Sequence, residues 1–177
     1  MQAPPALAPP TSLGGRLGAL YTPGDLWLVC REPVPLAGMS FPHRVDWAAL
    51  HGAGFGHVVC LTHDAPPYDP APLTCTAFAM QDLLTRGPLD PVAEQELVAR
   101  AAAVVVERWQ DGEGVAVHCH GGRGRAGTVL GSALVILGHD PDVVIAHLDA
   151  VQRLRNRAGW PEHPWQAEMV RAVEPAR

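Results

Sequence analysis

Cys119 and Arg125 stand with five residues between them, His120, Gly121, Gly122, Arg123 and Gly124, and that spacing has a chemical meaning. A loop of this length closes around a tetrahedral oxyanion. Backbone N–H groups from His120 to Arg125 then point at its nonbridging oxygens, and the Arg125 guanidinium clamps two of them in bidentate fashion. The same N–H groups, a helix dipole and Arg125 favour negative sulfur at Cys119, beneath the bound anion. Nucleophilic attack on phosphorus, giving a phosphocysteine, is what such an arrangement is suited to do. A lone cysteine in a glycine-rich loop is otherwise a structural thiol, and glycine-rich turns also bind phosphate without chemistry. The order His-Cys, Gly-Gly, Gly, Arg is more specific than either.

Two elements must position that loop. Gly114-Val115-Ala116-Val117 is apolar, Val-rich and too short for a helix, so it reads as a strand ending at Cys119. Val129 to Leu137 continues as a helix that begins near Gly124. A strand, a glycine-rich loop and a helix N-terminus in this order make a concavity suited to an anion. No acidic residue occurs from Gly114 to His139, so the loop is locally positive although the chain carries a formal charge of −5. That balance suits a compact anionic ligand and argues against a nucleic-acid binder working by bulk electrostatics.

His118-Cys119-x5-Arg125 resembles the H-C-x5-R signature of the protein tyrosine phosphatase superfamily. Leu36 to Met39 followed by Pro42, and then Val58-Val59-Cys60-Leu61-Thr62, resemble the N-terminal half of small dual-specificity-type phosphatases. The likeness spans residues 25–172 and is nearest to compact bacterial members. It implies Cys119 as nucleophile, Arg125 as phosphate clamp, His118 as a buried residue tuning the thiolate, and Thr128 as a feature of the helix start. Taken alone, His118 would be a satisfied core histidine, which is compatible with that role. One position departs from the family. Ser or Thr commonly follows the arginine and helps expel the thiolate, whereas this chain has Ala126. Low-molecular-weight phosphatases and arsenate reductases share C-x5-R but carry it near the N-terminus.

Attack is slow unless the leaving oxygen is protonated, so a carboxylic acid on a movable loop should face Cys119. Asp82 follows Phe78-Ala79-Met80 and opens a Gly/Pro-containing loop, as the family's acid does. Asp90 competes by its separation from Cys119, but it has another role as N-cap of a helix starting at Pro91. His63, Asp64 and Asp69 border a further loop and read as solvated. His120 and Arg123 are expected to point outward at the mouth, where they would be solvated or bind a second anionic group. Gln166 lies near a late glutamine of the family, on what reads as an ordinary helix.

The rest of the chain is expected to be support. At 177 residues, 47% hydrophobic and 18% charged, with five Trp, it suits one globular domain. Residues 1–22, rich in Pro, Gly and Ala, read as an irregular arm, and residues 23–177 as a single catalytic domain. Strands are expected at Leu26–Cys30, His57–Thr62 and Thr74–Met80, with a loop over Pro33–Pro42. Helices are expected at Asp46–Gly52, Pro91–Gln110, Pro141–Leu154 and Pro164–Val173. The first long one should bury Leu97, Ala101, Val104, Val105 and Trp109, and the next Val144, His147, Leu148 and Val151. This alternation implies an α/β fold, a central mostly parallel sheet flanked by helices.

Cys30, Cys60, Cys75 and Cys119 contain no C-x-x-C pair, so neither a zinc site nor a disulfide framework is expected, and no metal or organic cofactor. Reduced thiols, no signal-peptide pattern and no long apolar run point to a monomeric cytoplasmic protein without a membrane span. The expected activity is hydrolysis of phosphomonoesters, foremost phosphotyrosine in proteins and also phosphoserine or phosphothreonine. Inositol phosphates or phosphoinositides are the other enzymatic reading, and a phosphate-binding module that has lost turnover is the non-enzymatic one.

Overall fold

The computed structural model describes residues 4–8, 26–82 and 87–174. Five strands, β1 (Leu26–Cys30), β2 (Leu36–Met39), β3 (Phe55–Cys60), β4 (Thr74–Ala77) and β5 (Gly114–His118), form one sheet in the order β1-β2-β5-β3-β4. Only β1 and β2 are antiparallel; the β2/β5, β5/β3 and β3/β4 pairs are parallel. Parallel neighbours need crossovers. α1 (Trp47–Gly52) links β2 to β3, and α2 (Pro91–Gln110) links β4 to β5. After β5 come α3 (Gly124–Ile136), α4 (Pro141–Leu154) and α5 (Pro164–Arg171).

The strand that leads to Cys119 is therefore central and covered on both faces, and all five of its residues are buried. Its alternation divides the core. Val115 and Val117 pack with α2, α3, α4 and α5, together with Cys119, while Ala116 joins a smaller cluster around Leu50 of α1. α3 is buried over nearly its whole length, which explains why its sequence is apolar without a polar stripe.

Several details differ from the expectations: β3 runs Phe55–Cys60 and α5 ends at Arg171. Leu36–Met39 is a strand, not loop: the prolines flank it where no N–H is needed, Pro35 giving only its carbonyl to the Val115 N–H, and Gly38 is needed because a Cβ there would meet the Trp27 ring at 2.2 Å. β4 stops at Ala77: the Phe78 N–H makes the last bond to β3, at the Cys60 carbonyl, and the Met80 N–H then turns back to the Phe78 carbonyl. On α2 the buried stripe includes Glu94, Val98, Ala102 and Val106, while Leu97 and Val104 are only partly buried. α4 correspondingly buries Gln152, leaving His147 half-buried. Of the N-terminal stretch, residues 4–8 lie along β1, where the Ala8 N–H donates to the Val29 carbonyl at 2.7 Å and Leu7 bridges Cys30. The remainder of that arm, residues 1–3 and 9–22, lies outside the described residues.

His57 on β3 is buried and hydrogen-bonded to the hydroxyls of Thr74 (2.6 Å) and Thr76 (3.1 Å) on β4. Burial, reinforced by the charge of Arg108, lowers its pKa from 6.5 to about 4. Between those values the unfolded chain binds the proton and the folded one does not, so stability rises with pH there. Urea unfolding should thus show stability being lost as pH falls from 6.5 towards about 4. His57→Gln should be less stable at neutral pH but lack that part of the slope; an unchanged slope would count against this origin.

Candidate active site

Above β5 the chain turns through residues 119–123 into α3, and Cys119, only 3% exposed, sits at the floor of a cavity of about 160 Å³. Asp82, His120, Gly121, Gly124 and Arg125 also line it, with Gln81, Glu162, Trp165 and Gln166 on the far rim. α1, α2 and α4 each begin at an aspartate whose carboxylate accepts first-turn N–H groups, namely Asp46, Asp90 and Asp140. α3 begins at Arg123 with no side-chain cap. Its first-turn N–H groups are left for an anion instead.

N–H groups that face inward oblige the loop carbonyls to face outward, where each needs a donor. The Gly122 carbonyl accepts from Trp27 Nε1 at 2.9 Å and Arg155 Nη1 at 3.1 Å. Arg155 is itself held by Gln152 Oε1 at 2.6 Å and lies over the Trp27 ring, 5.8 Å from its centroid. The Gly124 carbonyl accepts from Thr128 Oγ1 at 3.0 Å, and the Trp160 indole lies 3.4 Å away. His120 and His118 carbonyls take the N–H groups of Phe41 and Leu61, both at 3.0 Å. A side chain at Gly122 would force the loop out of place: its φ is +63°, and a Cβ would stand 2.5 Å from the Met39–Ser40 peptide.

Arg125 is anchored from several sides. Its Nη1 donates to the Met80 carbonyl at 3.1 Å and lies 3.4 Å from that of Leu61, and its Nη2 meets Asp82 Oδ2 at 2.9 Å. Glu94, 6% exposed on the buried stripe of α2, adds its field: burial raises its pKa and Arg125 opposes the rise. Asp82, at the end of the segment following β4, thus faces the Cys119 pocket. Asp90 is instead the N-cap of α2, accepting from Val92 and Ala93, and lines a separate groove.

Arg123 is not free at the mouth. Its Nε pairs with Glu162 at 2.9 Å, so of the two rim residues only His120 stands exposed. His118 is fully buried; its Nε2 is hydrogen-bonded to the Tyr68 hydroxyl, and Phe41 packs edge-on against its ring at 5.6 Å. On the neighbouring strand, burial pushes the Cys60 thiol up, but hydrogen bonds from His118 and Thr62 outweigh it and bring its pKa to about 6. Burial raises Cys30 and Cys75 to about 11, and all four cysteines are free thiols. Asp69 caps its own turn through the Ala71 N–H, and His63 bonds to Thr62. Gln166 reaches the pocket rim, with its Oε1 accepting from the N–H groups of Glu162 and His163. Among the described residues no group of three or more His, Cys, Asp or Glu is placed to hold a metal, and no helix is long and apolar enough to cross a membrane.

The family described as Swiss Army Knife protein, DSP-PTPase phosphatase domain (PTP-SAK), matches residues 27–165. The chain belongs to this family. The match takes in β1 with its Trp27, the whole catalytic-type loop, and the segment up to Trp165. Among solved structures, the PTP-SAK chain is similar to Tk-PTP in its active form, at 22% identity over 78% of this chain and 90% of that one, with a TM-score of 0.57. DUSP15 is similar at 16% identity, 77% and 80% coverage and a TM-score of 0.59. So is the catalytic core of the PP-IP phosphatase SIW14 from S. cerevisiae, at 14%, 78% and 80%, with a TM-score of 0.56. These likenesses establish a phosphatase fold with a mostly parallel sheet. They do not extend to substrate.

Sequence inspection missed the outer supports of the loop, Trp27, Tyr68, Arg155, Trp160 and Glu162. Only Glu94 left a signal, because it falls in step with Val98, Ala101, Val105 and Trp109 on the apolar stripe. Trp27→Phe keeps an aromatic ring but removes the donor to Gly122 and part of the buried indole, and should cost about 2 kcal/mol or more in urea unfolding. It should also weaken binding of vanadate, a tetrahedral oxyanion. Gly122→Ala should fold yet fail to bind vanadate in a calorimetric titration.

Proposed function

We propose that this PTP-SAK domain is a cysteine-dependent phosphatase that hydrolyses phosphomonoesters through a phosphocysteine intermediate. The observation that carries the reading is the convergence of Cys119, Arg125, Asp82 and an uncapped helix N-terminus on one small cavity. A substrate phosphate takes the place of Asp82 on Arg125, with its oxygens held by the N–H groups of His120 to Arg125. The Cys119 sulfur attacks phosphorus, the bond to the leaving oxygen breaks, and Asp82 gives its proton to that oxygen. In the second step Asp82 takes a proton from water as the water oxygen attacks phosphorus. The S–P bond breaks, and inorganic phosphate and the thiolate are released. His118, held by Tyr68, orients the base of the loop.

Phosphotyrosine, phosphoserine and phosphothreonine of proteins, and inositol phosphates, are the substrate classes that compete for this site. A monomer of the cytoplasm fits the need for a reduced nucleophile. The alternative of a phosphate-binding module is favoured by one feature. Ala126 carries no hydroxyl, and that of Thr128 is engaged with the Gly124 carbonyl.

Turnover of an aryl phosphate by the parent and by Cys119→Ser tests the core of the reading; equal rates would overturn it. Asp82→Asn should lower kcat by about 10²-fold or more on an ester with a poor leaving group and remove the fall in rate at rising pH, while Asp90→Ala should keep that profile. Ala126→Ser should speed release of phosphate in rapid-quench experiments. A single burst followed by a stalled phosphocysteine in the parent would favour the binding module.

A further inference from the structure

Across the wall formed by His120 and Gly121, a second cavity of about 350 Å³ opens beside the Cys119 pocket, between the 40–45 loop and Arg157 beyond α4. His43, Arg44, His120 and Arg157 line it, and no carboxylate does so among the described residues. Arg44 and Arg157 are exposed, and neither takes part in the ion pairs found among those residues, which engage Arg108, Arg123, Arg125, Arg153 and Arg171. On a chain of formal charge −5, two unpaired guanidinium groups over one concavity are not a generic surface.

This groove is tied to the catalytic-type loop. The Phe41 N–H donates to the His120 carbonyl at 3.0 Å, and the Phe41 ring lies 4.8 Å from that of His43 and 6.5 Å from that of His120. Across the Cys119 pocket Arg123 is already paired with Glu162, which leaves it no free charge for a further anion, whereas Arg44 and Arg157 on the groove side take part in no such pair among the described residues. Two anions held on either side of one loop repel each other, so both sites fill most readily when a single molecule carries both and one association seats the pair.

We propose that the groove is a second phosphate subsite, and that the substrate is a compact cyclitol or sugar bearing at least two phosphate esters. One ester lies over Cys119 and another between Arg44 and Arg157. The shared wall is only the width of the His120–Gly121 turn, which suits phosphates on one ring better than those on successive residues of an extended peptide, whose side chains alternate in direction. The inference rests on the phosphatase reading above.

Steady-state kinetics on p-nitrophenyl phosphate, an inositol polyphosphate with phosphates on adjacent carbons, and a doubly phosphorylated peptide test it, with Arg44→Ala/Arg157→Ala against the parent. The double variant should raise KM for the inositol polyphosphate about tenfold or more with kcat kept, and leave KM for the aryl phosphate unchanged. Arg44→Lys/Arg157→Lys should recover much of the loss. Calorimetry of the inositol polyphosphate on Cys119→Ser protein, with and without the two arginines, measures the same subsite without turnover. An unchanged KM and affinity for the inositol polyphosphate, or an effect confined to the peptide, would overturn the proposal. Failure of the parent to hydrolyse the aryl phosphate would instead defeat the phosphatase reading, while the calorimetric comparison would still report on the groove.

Discussion

A loop that turns its N–H groups towards an anion must turn its carbonyls into the protein, and every such carbonyl needs a donor. Much of this structure answers that requirement. The indoles of Trp27 and Trp160, the guanidinium of Arg155, the hydroxyl of Thr128 and the N–H group of Phe41 reach the loop from β1, the segment before α5, the end of α4, α3, and the chain beyond β2. The antiparallel β1–β2 pair is not a mere edge, since it carries Trp27 across Gly38 to the Gly122 carbonyl. The cradle is thus a property of the whole domain.

Charge is allocated with similar economy. Arg125 is held by carbonyls and by Asp82, with buried Glu94 behind it, so the guanidinium is oriented while its pairing partner remains exchangeable. Arg123, two residues earlier, is committed to Glu162. Two arginines in one short motif therefore have different fates: one faces the cavity and the other ties the loop to the turn before α5. Arg44 and Arg157, which line the neighbouring groove and take part in none of these ion pairs, come from segments far from the motif in sequence.

Membership of the PTP-SAK family and the likeness to Tk-PTP, DUSP15 and SIW14 describe a shared scaffold and leave specificity to the walls around it. On the proposed reading the loop would hold only the phosphoryl group common to all such substrates. What lies beyond that group meets the rim, where Trp165, Glu162 and Asp82 stand on one side and the 40–45 loop on the other.

The sequence by itself determined the local devices, because each depends on neighbours along the chain. The Cys119–Arg125 loop, the Asp46, Asp90 and Asp140 caps and the long helices Pro91–Gln110 and Pro141–Leu154 are all legible there, as is the candidacy of Asp82. Short-range pattern did not show β2, whose four residues sit among prolines and pair only with distant strands. Nor did it show that Arg123 is tied to Glu162, that Glu94 is buried behind Arg125, or that Tyr68 holds His118. Only the tertiary structure decided those points. Hydrogen bonds and ion pairs between distant residues, such as Trp27 and Gly122, 95 positions apart, leave no period in the chain, and a charged side chain's partner is set by which elements the sheet order brings together.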